Sequence, residues 1–106
     1  MAIKRVWHGW TNKENADLYQ TILLNEVLPG IEAKQISGYK QIEVLRIEQD
    51  NEVEFVTIMT FESIQNVIAF QGEDYKRSYV PDFAQKVLKR WDREAMHYEL
   101  IDTRKY

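Results

Sequence analysis

A chain of 106 residues with 44% hydrophobic content has apolar mass for one modest core and not for two. Charged residues make up 29% of it with both signs interspersed, the net charge is −3, and no run of Lys or Arg is long enough to track a phosphate backbone, so no nucleic-acid partner is expected. Cysteine is absent, which removes disulfides, thiolate nucleophiles and sulfur-ligated metals; no stretch approaches membrane-spanning length, so the default expectation is a soluble, cytoplasmic protein with no membrane partner.

Ile3 to Trp10 mixes Ile, Val and two Trp with Lys, Arg and His in near alternation, the pattern of a strand whose faces meet different surroundings. Thr11-Asn12-Lys13-Glu14 has the form of a capping box and predicts a helix start. Ala16, Tyr19, Leu23, Val27 and Ile31, with Ile22 beside them, give that helix one buried stripe to about Ala33. Pro29 cannot donate to the carbonyl of Asn25 and its ring crowds it, so a kink or distorted turn is expected around Leu28-Pro29-Gly30.

Ser37-Gly38 leads into a second strand, Tyr39 to Glu48, and Gln49-Asp50-Asn51 turns into a third, Glu52 to Phe61. The third strand is apolar at nearly every position, as suits a central strand covered on both faces. Ser63 is placed to cap a second helix through Ile64, Val67 and Ile68, stopped at Gly72. Glu73 to Val80 reads as a polar and aromatic loop. Pro81 then opens a helical piece with a stripe of Phe83, Ala84, Val87, Leu88 and Trp91, leaving Lys86, Lys89 and Arg90 solvated. Glu94 to Ile101 closes the domain as a fourth strand.

The order strand, helix, strand, strand, helix, strand predicts an α+β, ferredoxin-like β-α-β-β-α-β domain over residues 1–101, with 102–106 as a frayed tail. Such a four-stranded antiparallel sheet carries helices on one face only. With an apolar third strand the open face needs a cover, and the same face of a second copy supplies one, so a homodimer is expected.

Val6-Trp7-His8-Gly9-Trp10-Thr11, Glu26-Val27-Leu28-Pro29-Gly30-Ile31, Val53-Glu54-Phe55-Val56-Thr57-Ile58-Met59, Gly72-Glu73-Asp74-Tyr75 and His97-Tyr98-Glu99 together resemble the antibiotic biosynthesis monooxygenase superfamily of dimeric α+β barrels. That resemblance implies a pocket between helices and sheet. It implies cofactor-independent oxygenation of phenols in some members, and haem breakdown, isomerisation or no known activity in others. Better-studied members use an Asn on the first strand, a Trp near the end of the third and a His or Tyr in the second helical region. Here the first strand has no Asn, the third ends in Thr60-Phe61, and 63–93 contains no His for a haem, leaving Tyr75 or Tyr79 at the equivalent region.

Phenol oxygenation needs a base, an aromatic slot and donors for the developing anion. His8 and His97 are the two histidines, and antiparallel pairing of first and last strands would let both lie near one edge. The expected catalytic set is therefore His8, Tyr75 and His97, with Trp10, Tyr79 and Phe61 against a small aromatic ligand. No cofactor is expected and no metal, since the two histidines lack a third ligand at helical spacing. Each histidine has a structural alternative as a hydrogen-bonded strand residue, and Glu99 either orients His97 or pairs with Arg5 on the sheet surface. Trp7 and Trp10 differ in parity, so they face opposite sides of the sheet. The loop from Glu73 to Tyr79 is either a lid over the pocket or a solvated connector with its tyrosines folded back. The main functional alternative is a dimeric binding or structural module without turnover.

Overall fold

Burial alternates without a break along β1, Ile3–Thr11, and again along β3, Val53–Phe61. The two lie antiparallel over their full length, Ile3 opposite Phe61 and Thr11 opposite Val53, so both turn the same parity inward. The computed structural model describes all 106 residues. β2, Tyr39–Glu48, pairs antiparallel with the outer edge of β3, with an irregularity between Tyr39 and Gln41. On the other side of β1 lie two short strands, β4 (Arg90–Trp91) and β5 (Met96–Glu99), giving the order β2-β3-β1-β4 with β5 also on β1. This is the ferredoxin-like topology expected, with its last strand divided and shorter than Glu94–Ile101. The division has a cause in hydrogen bonding. The Asp92 amide still donates to His8, but Ala95 donates to Lys76 and the Ser78 amide to Arg93, so the chain between β4 and β5 pairs with the 76–78 loop instead.

The helical layer covers one face. The first helical segment begins as α1, Ala16–Ile22, widens to a π-helical turn at Leu23–Val27, and resumes as α2, Leu28–Glu32. Leu28 donates to the carbonyl of Leu23, five residues back. The distortion expected at Pro29 thus falls one turn earlier, and Pro29 sits in the first turn of the resumed helix, where its missing N–H costs nothing. The capping box does not form. Thr11 belongs to β1, its side chain is fully buried and its Oγ1 has no partner, while Asn12 Oδ1 accepts from the Asn15 amide at 2.8 Å.

After β3 comes α3, Ile64–Gln71, which ends at Gly72 with φ +97°. Ser63 precedes it without capping it; its hydroxyl donates to Asn66 Oδ1 at 2.7 Å. The helical piece after Pro81 is only the single turn α4, Asp82–Gln85, which buries Ala84 and leaves Phe83 exposed; half-buried Val87 and buried Leu88 lie beyond it, and Trp91, expected on this helix, belongs with Arg90 to β4. Phe55, Phe61, Val53 and Val67 lie at the centre of the core. The Trp7 ring lies over Gly9, where a Cβ would come within 2.4 Å of it, so Gly9 keeps the strand bare beneath the indole.

Candidate functional site

The inward faces of β1 and β3 and the helical layer enclose a cavity of about 40 Å³. Trp7, Tyr19, Phe70 and Tyr79 bring aromatic surface to it. Leu23, Val27 and Ile31 project from the π turn and the helix after it, and Arg5 and Thr57 are its polar side chains apart from the two phenols. Half-buried Leu28, Ile42, Val80 and Pro81 form its outer wall. As folded, the space suits a few waters; ligand pockets typically run from about 300 Å³.

Arg5 is the unexpected member. It shares parity with Ile3 and Trp7, and only 3% of it is exposed. Its Nη1 donates to the carbonyl of Tyr75 at 2.5 Å and lies 2.9 Å from His97 Nε2, and its Nη2 donates to the carbonyl of Arg77 at 2.7 Å. The guanidinium carbon stands 5.5 Å from the Phe70 ring centre. Burial lowers its pKa to about 10, which leaves it cationic at neutral pH.

A guanidinium has no lone pair to offer, so His97 Nε2 is the acceptor and the ring carries its proton on Nδ1. Burial first, then the charges of Arg5 and Lys76, push the His97 pKa down to about 4, so the ring stays neutral. Tyr75 meets it edge-on at 5.2 Å between ring centres. Burial also raises the Tyr19 hydroxyl above the usual phenol range, which keeps it a donor.

The expected site residues divide between the two faces. His97 opposes Arg5 in the β1–β5 register and lies with Tyr75 behind the guanidinium. His8 points to the open face, where Nδ1 contacts Glu54 Oε2 at 2.6 Å and the ring stacks on Trp10 at 6.0 Å. Arg90 covers Trp10 from 3.9 Å while bonding Glu52 at 2.5 Å. His8 and Trp10 lie on the open face, because successive strand residues face opposite ways, and Tyr75 and His97 lie behind Arg5, so none of the four lines the cavity. Trp7, of opposite parity to Trp10, is the tryptophan that lines it. Of the expected substrate contacts, Tyr79 lines the cavity. Phe61 is fully buried between Tyr39, at 5.3 Å, and Phe70, at 6.0 Å, in the core beside it.

The loop after α3 follows the connector reading: Tyr75 and Tyr79 fold back against the core while Glu73, Asp74, Lys76 and Arg77 are exposed. Ala95 and Arg93 bond Lys76 and Ser78, and Arg5 bonds Tyr75 and Arg77, which pins it to the sheet. Glu99 neither orients His97 nor pairs with Arg5, which is on the buried face; it stands opposite Ile3. No group of three or more His, Asp or Glu side chains is placed to hold a metal ion. No helix is long and apolar enough to cross a membrane.

These features define a small α+β domain of ferredoxin-like topology with an apolar cavity between helices and sheet. A solved structure with this fold is that of Rv0793 from Mycobacterium tuberculosis, 10% identical, matching over 99% of this chain and 100% of that one with a TM-score of 0.64. At that identity the likeness is one of fold alone. Neither a family model nor a curated protein matches the sequence.

Proposed function

We propose that the chain binds a small aromatic molecule between helices and sheet, as a dimeric α+β barrel of the antibiotic biosynthesis monooxygenase type, and that its reaction is cofactor-independent oxygenation of an ionisable phenol. The observation that carries the binding reading is the cavity itself, 12 of whose 15 lining residues are hydrophobic, with Trp7, Tyr19, Phe70 and Tyr79 among them. An aromatic ring is larger than the present space, so its admission displaces the outer wall of Leu28, Val80 and Pro81.

In such a reaction the ionised substrate is its own reductant. One oxygen atom of O2 enters the product as a ketone and the other leaves in water with the two hydrogens of the oxidised carbon. The protein then needs to hold the anion, keep it dry and stack against it. A free base inside the cavity is dispensable when the substrate ionises readily, which fits a site where His97 has spent its acceptor nitrogen on Arg5 and His8 lies across the sheet. Tyr79 and Tyr19 would serve as hydroxyl donors to the bound molecule.

The test is oxygen consumption by metal-free protein with a panel of anthrone-like and quinol compounds, alongside fluorescence titration with the same compounds. Saturable binding and uptake above the buffer rate are expected, with Trp7→Ala weakening both. Binding without uptake would remove the oxygenase and leave a binding module; absence of binding across the panel would remove both.

A further inference from the structure

Arg5 holds a full charge inside the protein with no carboxylate to balance it, only the Phe70 ring at 5.5 Å. A guanidinium has five N–H donors. Three are engaged, by the carbonyls of Tyr75 and Arg77 and by His97 Nε2, all of them neutral acceptors. Nε–H and one hydrogen on Nη2 remain. Arg5 pairs with no carboxylate, and burial alone accounts for its lowered pKa. An unpaired cation taken out of water is costly, and a staple between β1, β5 and the 75–77 loop needs only hydrogen bonds, which an uncharged side chain could supply. The charge itself calls for a different explanation, and Arg5 lines the cavity.

We propose that the cavity is a receptor for an oxyanion carried on a small apolar ring, with the two unspent donors of Arg5 as its anchor. An aromatic carboxylate and a phenolate share this chemistry: one or two oxygen acceptors on a planar ring that fits against Trp7, Phe70 and Tyr79. His97 is then a positioning residue. Its neutral Nε2 and the two carbonyls hold the fork at 2.9, 2.5 and 2.7 Å, so the free edge is set before a ligand arrives. The inference rests on the cavity being an aromatic-binding site and goes further in stating the charge of what it takes.

The experiment is an NMR titration of the full chain at pH 8 with two matched pairs, benzoate against benzamide and 4-nitrophenolate against nitrobenzene. Each anion is expected to bind at least tenfold more tightly than its neutral partner and to shift the Arg5 Nε–H resonance. Arg5→Gln is expected to abolish that preference while still binding the neutral ring; if it does not fold, the wild-type ratios and the Arg5 resonance decide. Equal binding of anion and neutral partner would overturn the anchor and leave the aromatic-binding reading standing. So would undiminished benzoate binding by a folded Arg5→Gln. If no ring binds, charged or neutral, both readings fall. A preference confined to benzoate would identify a carboxylic acid as the ligand, and one confined to nitrophenolate a phenol.

Discussion

Arg5 and His97 depend on one another. The ring can accept from the guanidinium only while it is neutral, and burial first, then the charges of the guanidinium and Lys76, keep it so. That arrangement has a pH signature whose sign is fixed. In the unfolded chain the imidazole titrates near 6.5, whereas in the folded protein it does so at about 4. Between those values the unfolded state holds a proton that the folded state does not, so stability from this residue is complete above pH 6.5 and lost as the pH falls toward 4. His97→Gln offers an amide oxygen to Arg5 and does not titrate. Chemical denaturation of both proteins from pH 8 to 3.5 is expected to give curves that diverge below 6.5, the wild type losing more, and run parallel again below about 4. Parallel curves throughout would mean that the ring is not held neutral. Neither member of this pair was placed correctly beforehand: Arg5 was expected on the sheet surface as the alternative partner of Glu99, although parity ties it to whichever side Trp7 takes. What periodicity could not supply was the register of β5 on β1, which puts His97 opposite Arg5 and so on the face away from His8; a slip of one residue would have reversed that.

At the scale of elements, strands were more readable than helix ends. β2 runs over the residues that alternation marked, and β1 and β3 differ from expectation by one residue each, because apolar alternation and turn residues act locally. Caps depend on which partner a short polar side chain finds. Thr11 is held under the helical layer, so its capping expectation failed for a tertiary reason, whereas Ser63 turns to Asn66, a local partner three residues on. The wide turn in the first helix left a trace that helical spacing alone did not resolve. Leu23, Val27 and Ile31 are four residues apart. At about 100° per residue, a regular helix would turn Ile31 some 80° away from Leu23. Yet the three are 3%, 6% and 4% exposed and line one cavity. A π turn restores their alignment, so we attribute it to the apolar stripe more than to the proline. Pro29→Ala is therefore expected to keep the Leu28 to Leu23 hydrogen bond, seen as a through-bond NMR coupling, and to change stability by less than about 1 kcal/mol. Loss of that coupling with a return to regular α-helix would assign the distortion to the ring of Pro29.

For the whole molecule, the decisive surface is the one without helices. An antiparallel sheet that faces water normally alternates polar residues outward. Here the outward parity carries Val6 and Trp10 on β1, Val56 and Ile58 on β3, and exposed Leu45 and Ile47 on β2, with Met96 and Tyr98 on β5 at 56% and 53% exposure. These positions run across the sheet through register partners such as Leu45 with Val56 and Val6 with both Ile58 and Met96, so they form a continuous patch rather than scattered side chains. We propose that a second copy covers it, its own open face being self-complementary under a two-fold axis. The chain of 12.7 kDa is then expected to elute with a light-scattering mass near 25 kDa, twice that value. Leu45→Lys combined with Met96→Lys places charges on opposite sides of the patch without touching the cavity-lining face, and is expected to give monomer that keeps its far-UV circular dichroism. A wild-type monomer at 100 μM would refute the dimer. A dimer unaffected by both substitutions would place its interface on another surface and leave this apolar face without a demonstrated partner.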